Sequence, residues 1–210
     1  MSRDEQRMQE ALAILEELGS LDPAEHIRTI TEVNPTADNP YYNAQHCLTV
    51  AIRVYEGAFK WFGVDRTTGL AAVLAGLYHD YNHTSPDDNI SRPLAILGAT
   101  EHIKRIESAS FPRGVMGSIS FESFLEEIVE MIEDARQAKR RKAPENYISR
   151  FVYDAEHMQI LEPDASVFLE GLSKETGRKV TIDSYIEELK KKKLFTKWSK
   201  EYALAGILNN

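Results

Sequence analysis

The ten residues "GLAAVLAGLY" at 69–78 constrain this chain more than any other stretch. They sit within "DRTTGLAAVLAGLYHDYNH", which has helical character and is apolar on nearly every side. Such a helix cannot lie on a surface without exposing a large hydrophobic area. It is also too short to span a bilayer, which needs roughly 18 consecutive apolar residues. The remaining solution is a buried central helix with the rest of the chain wrapped around it. Two histidines and an aspartate, His79, Asp80 and His83, follow this run at once, where neither a solvated face nor an ordinary core is expected.

The flanking segments carry helical periodicity as well. Met8, Leu12, Leu15 and Leu18 recur at helical spacing within residues 4–18, and Gly19 then offers a stop. "DPAEHIRTITEV" reads as a short helix with Asp22 as cap and Pro23 at its first position, and "NPTADNPYYN" reads as a loop. From Asn43 a long helix is predicted, because Cys47, Val50, Ala51, Val54, Ala58 and Trp61 recur three and four apart until Gly63. His46 lies one turn before Val50, on the same inward face. "RPLAILGATEHIKRIES" is predicted to start a helix with Pro93 in its first turn, and "FPRGVMGSIS" to be a loop. "FESFLEEIVEMIEDARQAKRRK" and "ENYISRFVYDAEHMQIL" are again helical, and two or three more helices follow from Asp164, interrupted at Gly171 and Gly177. No alternating strand pattern of useful length occurs. The expectation is an all-α bundle forming one domain over 1–210, with its motif-bearing core at about 41–155 and a helical extension at about 164–210.

Charge and cysteine content narrow the function. With 33 acidic against 25 basic residues the net charge is -8, so neither a nucleic-acid backbone nor an anionic membrane is an expected partner. The single cysteine, Cys47, cannot form an internal disulfide, and "MSRDEQRMQEAL" does not resemble a signal peptide, which together suggest a reducing, cytoplasmic setting.

In a continuous helix His79 and His83 would project from one face about one turn apart, with Asp80 beside them. Imidazole nitrogen and carboxylate oxygen suit Zn²⁺, Mn²⁺ or Fe²⁺, and the lack of nearby cysteine argues against a closed structural zinc site. His46 and Asp154 fall on inward faces of their own helices, and a buried aspartate among Phe151 and Val152 needs a partner.

The order His46, His79-Asp80, Asp154 resembles that of the HD superfamily of metal-dependent phosphohydrolases. "YYNAQH" followed by "YHDYNHT" and Asn89 is similar to the signature region of cyclic-nucleotide phosphodiesterases. The likeness covers about residues 41–155. It implies an HD-like helical fold and a divalent ion (Mn, Fe, Zn, Mg, Co or Ni) held by His46, His79, Asp80 and Asp154. The implied reaction is attack of a metal-bound hydroxide on the phosphorus of a small phosphate ester, a nucleotide above all, as a mono- or diesterase. In this reading Asp80, His83 and Tyr42 take catalytic roles, with His83 near a second ion or donating to the phosphate. Substrate contacts are expected from Asn43, Asn89, Lys104 and Arg105, or from "KRRK" at 139–142. One departure stands out: Tyr42 occupies the place where the phosphodiesterases carry the histidine that protonates the leaving oxygen. A phenol near pKa 10 donates a proton but regains it poorly near neutrality, which weighs against cyclic-nucleotide cleavage by that route.

Plainer readings stand beside these. His83 could cap a helix, Asn89 could serve a turn, "KRRK" could be a solvated helix end, and "LKKKKLF" at 189–195 a wet face or a docking strip. His102 and His157 read as surface or satisfied core histidines, and His26 has no supporting context. The alternative functions are a binding or regulatory module that keeps the metal or nucleotide pocket without turnover, and a purely structural cluster.

Overall fold

The computed structural model describes residues 1–35, 40–83, 88–109, 119–138 and 143–209, and among them the regular structure is entirely helical. Helix α1 (Arg3–Leu18) starts at a reciprocal cap in which the Ser2 hydroxyl accepts from Glu5 N–H and the Glu5 carboxylate from Ser2 N–H. It ends at Gly19 in the left-handed region, φ 86°. Helix α2 (Pro23–Val33) has the expected Asp22 cap and leading proline. Helix α3 (Ala44–Val54) runs on through wider π-helical turns over Tyr55–Phe62 and stops at Gly63, whose N–H donates to Ala58 O. The expected single α-helix is thus loosened in its second half. At Gly57, in the widened part, a Cβ would come within 2.7 Å of Phe151 and 2.8 Å of Trp198, so these rings pack directly on backbone.

Helix α4 (Arg66–Tyr78) is the central element that its apolar run requires, buried at every residue from Gly69 to Tyr78 and packed on α1, α3 and helix α6 (Phe121–Ala138). Full burial of one leucine such as Leu74 stabilises by about 1.5–3 kcal/mol. Helix α3 comes close because Gly76 has no side chain; a Cβ there would lie 3.3 Å from Ala51 Cα.

Two boundaries differ from expectation. Helix α4 ends at Tyr78 instead of running on through His83, because side chains take over the bonds that the helix would have made. The Arg136 guanidinium donates to His79 O (2.8 Å), the Asn34 amide donates to Asp80 O (2.8 Å), and Asn82 N–H donates to Asn34 Oδ1 with Asn82 at φ 51°. Helix α5 (Asp88–Glu107) begins upstream of Pro93, which therefore lies inside the helix rather than in its first turn.

Helix α7 (Ser149–His157) leads through a 3₁₀ turn at Gln159–Leu161 into α8 (Ala165–Thr176), α9 (Ile182–Lys191) and α10 (Lys197–Asn209). These last three helices form a lobe around a small apolar cluster of Ala165, Leu169, Tyr185, Leu189, Leu194 and Ala203, apart from the main core. Gly171 does not interrupt α8. It lets the loop before α3 press on the helix, since a Cβ there would overlap the Pro40 carbonyl oxygen. No helix among the described residues is long and apolar enough to cross a membrane.

Candidate metal centre

His46, His79 and Asp80 meet where the start of α3 faces the end of α4. All three are buried, at 0%, 4% and 3% exposure. His46 Nε2 lies 3.1 Å from His79 Nε2 and 3.2 Å from Asp80 Oδ2, and His79 Nε2 lies 2.9 Å from the same oxygen. The other atom of each group is tied down. His46 Nδ1–H donates to Gln159 Oε1 (2.9 Å), while the Gln159 amide donates back to His46 O. His79 Nδ1–H donates to Gly76 O (2.8 Å), and Asp80 Oδ1 accepts from Arg136 (2.9 Å).

These tethers fix the tautomers. When both rings are neutral their Nε2 atoms turn lone pairs toward the Asp80 oxygen, and a proton on either Nε2 would instead be shared with that oxygen. Such a cluster is repulsive until it shares a proton or a cation. Ligands bonded to a divalent ion at about 2.0–2.2 Å stand about 3 Å apart when they subtend a right angle, and the three observed spacings match. Burial works to lower the His79 pKa, but the Asp80 charge outweighs it and raises it. For Asp80 burial likewise works upward, yet the His79 charge and the hydrogen bonds from His46 and His79 hold the carboxyl well below its usual range.

His83 lies beside this triad at 7% exposure, not one helical turn along its face. Its ring stacks on Tyr42 with centroids 4.1 Å apart, and neither ring nitrogen finds a hydrogen-bond partner among the described residues. Burial lowers its pKa, so it is neutral near pH 7. Tyr42 also meets the His46 ring edge-on at 5.6 Å. Tyr42 opens onto a cavity of about 1100 Å³ between the main bundle and the C-terminal lobe, lined in addition by Tyr41, Tyr153, Glu156, His157 and Tyr185.

Asp154 is not part of the triad. Its carboxylate accepts from Phe195 N–H, Thr196 N–H, the Thr196 hydroxyl and the Ser199 hydroxyl, which fastens α7 to the start of α10. Two residues on, Glu156 lies on a different face of α7, lines the cavity, and is near enough for its charge to raise the His79 pKa. Asn43 caps α3: its Oδ1 accepts from Gln45 and His46 N–H while its amide donates to Pro40 O. Lys104 and Arg105 are exposed on α5 away from the cavity, and Arg105 pairs with Glu25 of α2. The side chain of Asn89 and residues 139–142 lie outside the described residues.

Sequence reasoning missed Asn34, Arg136, Gln159 and Glu156. Nothing local marks the first three, because their partners lie far along the chain. Glu156 could have been weighed, being an acid next to His157 in the helix already under suspicion.

No model of a known protein family matches the chain, and a search of curated proteins finds no match.

Proposed function

We propose that this protein is a metal-dependent phosphohydrolase, of the kind found in the HD superfamily, acting on a small phosphate ester such as a nucleotide in a reducing, cytoplasmic setting. The observation that carries this reading is the convergence of His46 Nε2, His79 Nε2 and Asp80 Oδ2 within 3.2 Å of one another, each group oriented by a second buried partner. His46, His79 and Asp80 would hold the ion, Gln159 and Arg136 would keep two of them aimed, and Glu156 replaces Asp154 as the acid best placed to complete the set. A bound divalent ion lowers the pKa of its water towards 7 and polarises a phosphoryl oxygen.

The chain's own groups supply the rest. His83, neutral and with both nitrogens unpartnered among the described residues, offers an N–H to a phosphoryl oxygen. Tyr42, against His83, offers a phenolic proton to the leaving oxygen and a ring for a base to stack on. Burial of all three donors keeps water from competing for the site.

The test is metal-stripped protein re-supplied with Mn²⁺, Zn²⁺, Fe²⁺ or Mg²⁺ and assayed on nucleoside monophosphates, cyclic nucleotides and an aryl phosphate. Restored hydrolysis of at least one is expected; folded protein that turns over none of them contradicts the proposal. Comparing Glu156→Gln with Asp154→Asn separates the two acids. The first should weaken metal binding by about 10–100-fold; the second should lower stability by about 1–3 kcal/mol and spare the metal.

A second reading, a regulatory module that binds nucleotide without turnover, rests on Tyr42 where a histidine would recover its proton more readily. It predicts a nucleotide-induced thermal shift with no product, and recovery of turnover in Tyr42→His.

A further inference from the structure

The C-terminal lobe gives the cavity a wall of unusual charge. Arg178, Lys179, Lys191, Lys192 and Lys193 line it, against only Glu156 and Glu188, in a chain whose net charge is -8. Elsewhere on the same lobe lysines are matched to acids one turn away: Lys174 with Glu170, Lys190 with Glu187, Lys197 with Glu201. Arg178, Lys179, Lys191 and Lys193 form no ion pair among the described residues. Like charges that outnumber their counter-charges repel one another, and the repulsion is relieved when an anion enters between them.

The basic run that reads in sequence as a wet face is therefore one side of a pocket. Across from it stand Tyr41, Tyr42 and Tyr153, with Tyr185 on α9 itself, and Tyr42 in turn touches the ring of His83 beside the triad. The volume, about 1100 Å³, exceeds what a single phosphate and its ester group fill.

We propose that this wall selects small ligands bearing a second, multiply charged anionic group beyond the phosphoryl presented to the triad: nucleoside polyphosphates or bisphosphates in preference to monophosphates. The cations of the loop after α8 and of the end of α9 take the additional phosphates, and the tyrosine faces take a planar base. Lysine and arginine at the mouth suit this task because each added phosphate gains charge-assisted hydrogen bonds without a fixed geometry. The assignment rests on the functional reading above only for the position of the first phosphoryl group.

Calorimetric titration of the full chain, with and without Mn²⁺, against phosphate, pyrophosphate and adenosine mono-, di- and triphosphate provides the test. Affinity should rise by about tenfold or more from mono- to triphosphate and weaken with added salt. The double variant Lys191→Glu, Lys193→Glu, which changes two exposed side chains, should collapse the tri-to-monophosphate ratio to about twofold, and Arg178→Glu should reduce it in the same direction. A flat series in the wild type, or a variant that weakens both ligands equally, overturns the inference. Metal-dependent hydrolysis alongside a flat series would leave the phosphohydrolase standing and remove this selectivity. Steep binding without turnover would do the reverse.

Discussion

Two buried histidine–carboxylate groups gather around the end of α4, one through Tyr78 and one through His79 and Asp80, and their hydrogen bonding differs. In the first, His26 is fully buried, its Nε2 lies 2.9 Å from Glu107 Oε1 and its Nδ1 2.8 Å from the Tyr78 hydroxyl. Glu107 also accepts from the Ser20 hydroxyl and Leu21 N–H. Every donor there faces an acceptor. In the second, the Nδ1–H groups of His46 and His79 donate outward to Gln159 and Gly76, while their Nε2 atoms and Asp80 Oδ2 face one another. Residue types and burial are alike, so neither distinguishes a structural cluster from a ligand site. The arrangement differs: the His26 circuit gives each ring nitrogen its own partner, while the second cluster turns three possible ligand atoms toward one point, which could hold a metal ion.

Breaking each cluster should have opposite consequences. Asp80→Asn or His46→Gln is expected to remove bound metal and to cut metal-dependent hydrolysis by about a thousandfold or more, with helical content retained; elemental analysis and turnover on the same preparations check this. Glu107→Ala should leave metal content unchanged but destabilise the fold by about 1–3 kcal/mol in urea denaturation, since it leaves the buried His26 Nε2 and the Ser20 hydroxyl without their acceptor. If Glu107→Ala costs metal, or Asp80→Asn costs only stability, the contrast fails. Gln159→Leu sharpens it: losing the acceptor of His46 Nδ1–H should weaken metal affinity by about 10–100-fold while the ligands themselves remain.

The smallest effect is in pH. Burial works to raise the Glu107 pKa, but the hydrogen bonds from His26 and Ser20 prevail and bring it below its ordinary 4.5. A carboxyl depressed on folding contributes stability that is present above its unfolded pKa and lost as pH falls through the folded one. Wild-type stability should therefore drop below about pH 4.5 more steeply than that of Glu107→Gln, measured by denaturation midpoints across the acid range.

Much of the scaffold was legible from local chemistry. The apolar run of α4, the Asp22–Pro23 start of α2 and the glycine stops at Gly19 and Gly63 are written in adjacent residues, and the structure follows them. What was not legible depends on partners remote in sequence. Helix α4 stops at Tyr78 because Arg136 and Asn34 reach in from other helices to take its last carbonyls. That Asp154 bonds to Thr196 and Ser199 instead of joining His46, His79 and Asp80 could not come from periodicity, since α7 is buried on almost all sides. The lysines at 191–193 looked solvated because the face opposite them belongs to residues more than a hundred positions earlier, Tyr41 and Tyr42.

The seat of Pro40 on Gly171 gives biosynthesis a particular order. The tyrosine loop is made early, yet the groove that steadies it emerges from the ribosome only when α8 does, and the basic wall later still. Until then α3 and α4 can dock and bring His46, His79 and Asp80 together while the cavity beside Tyr42 still lacks its basic side.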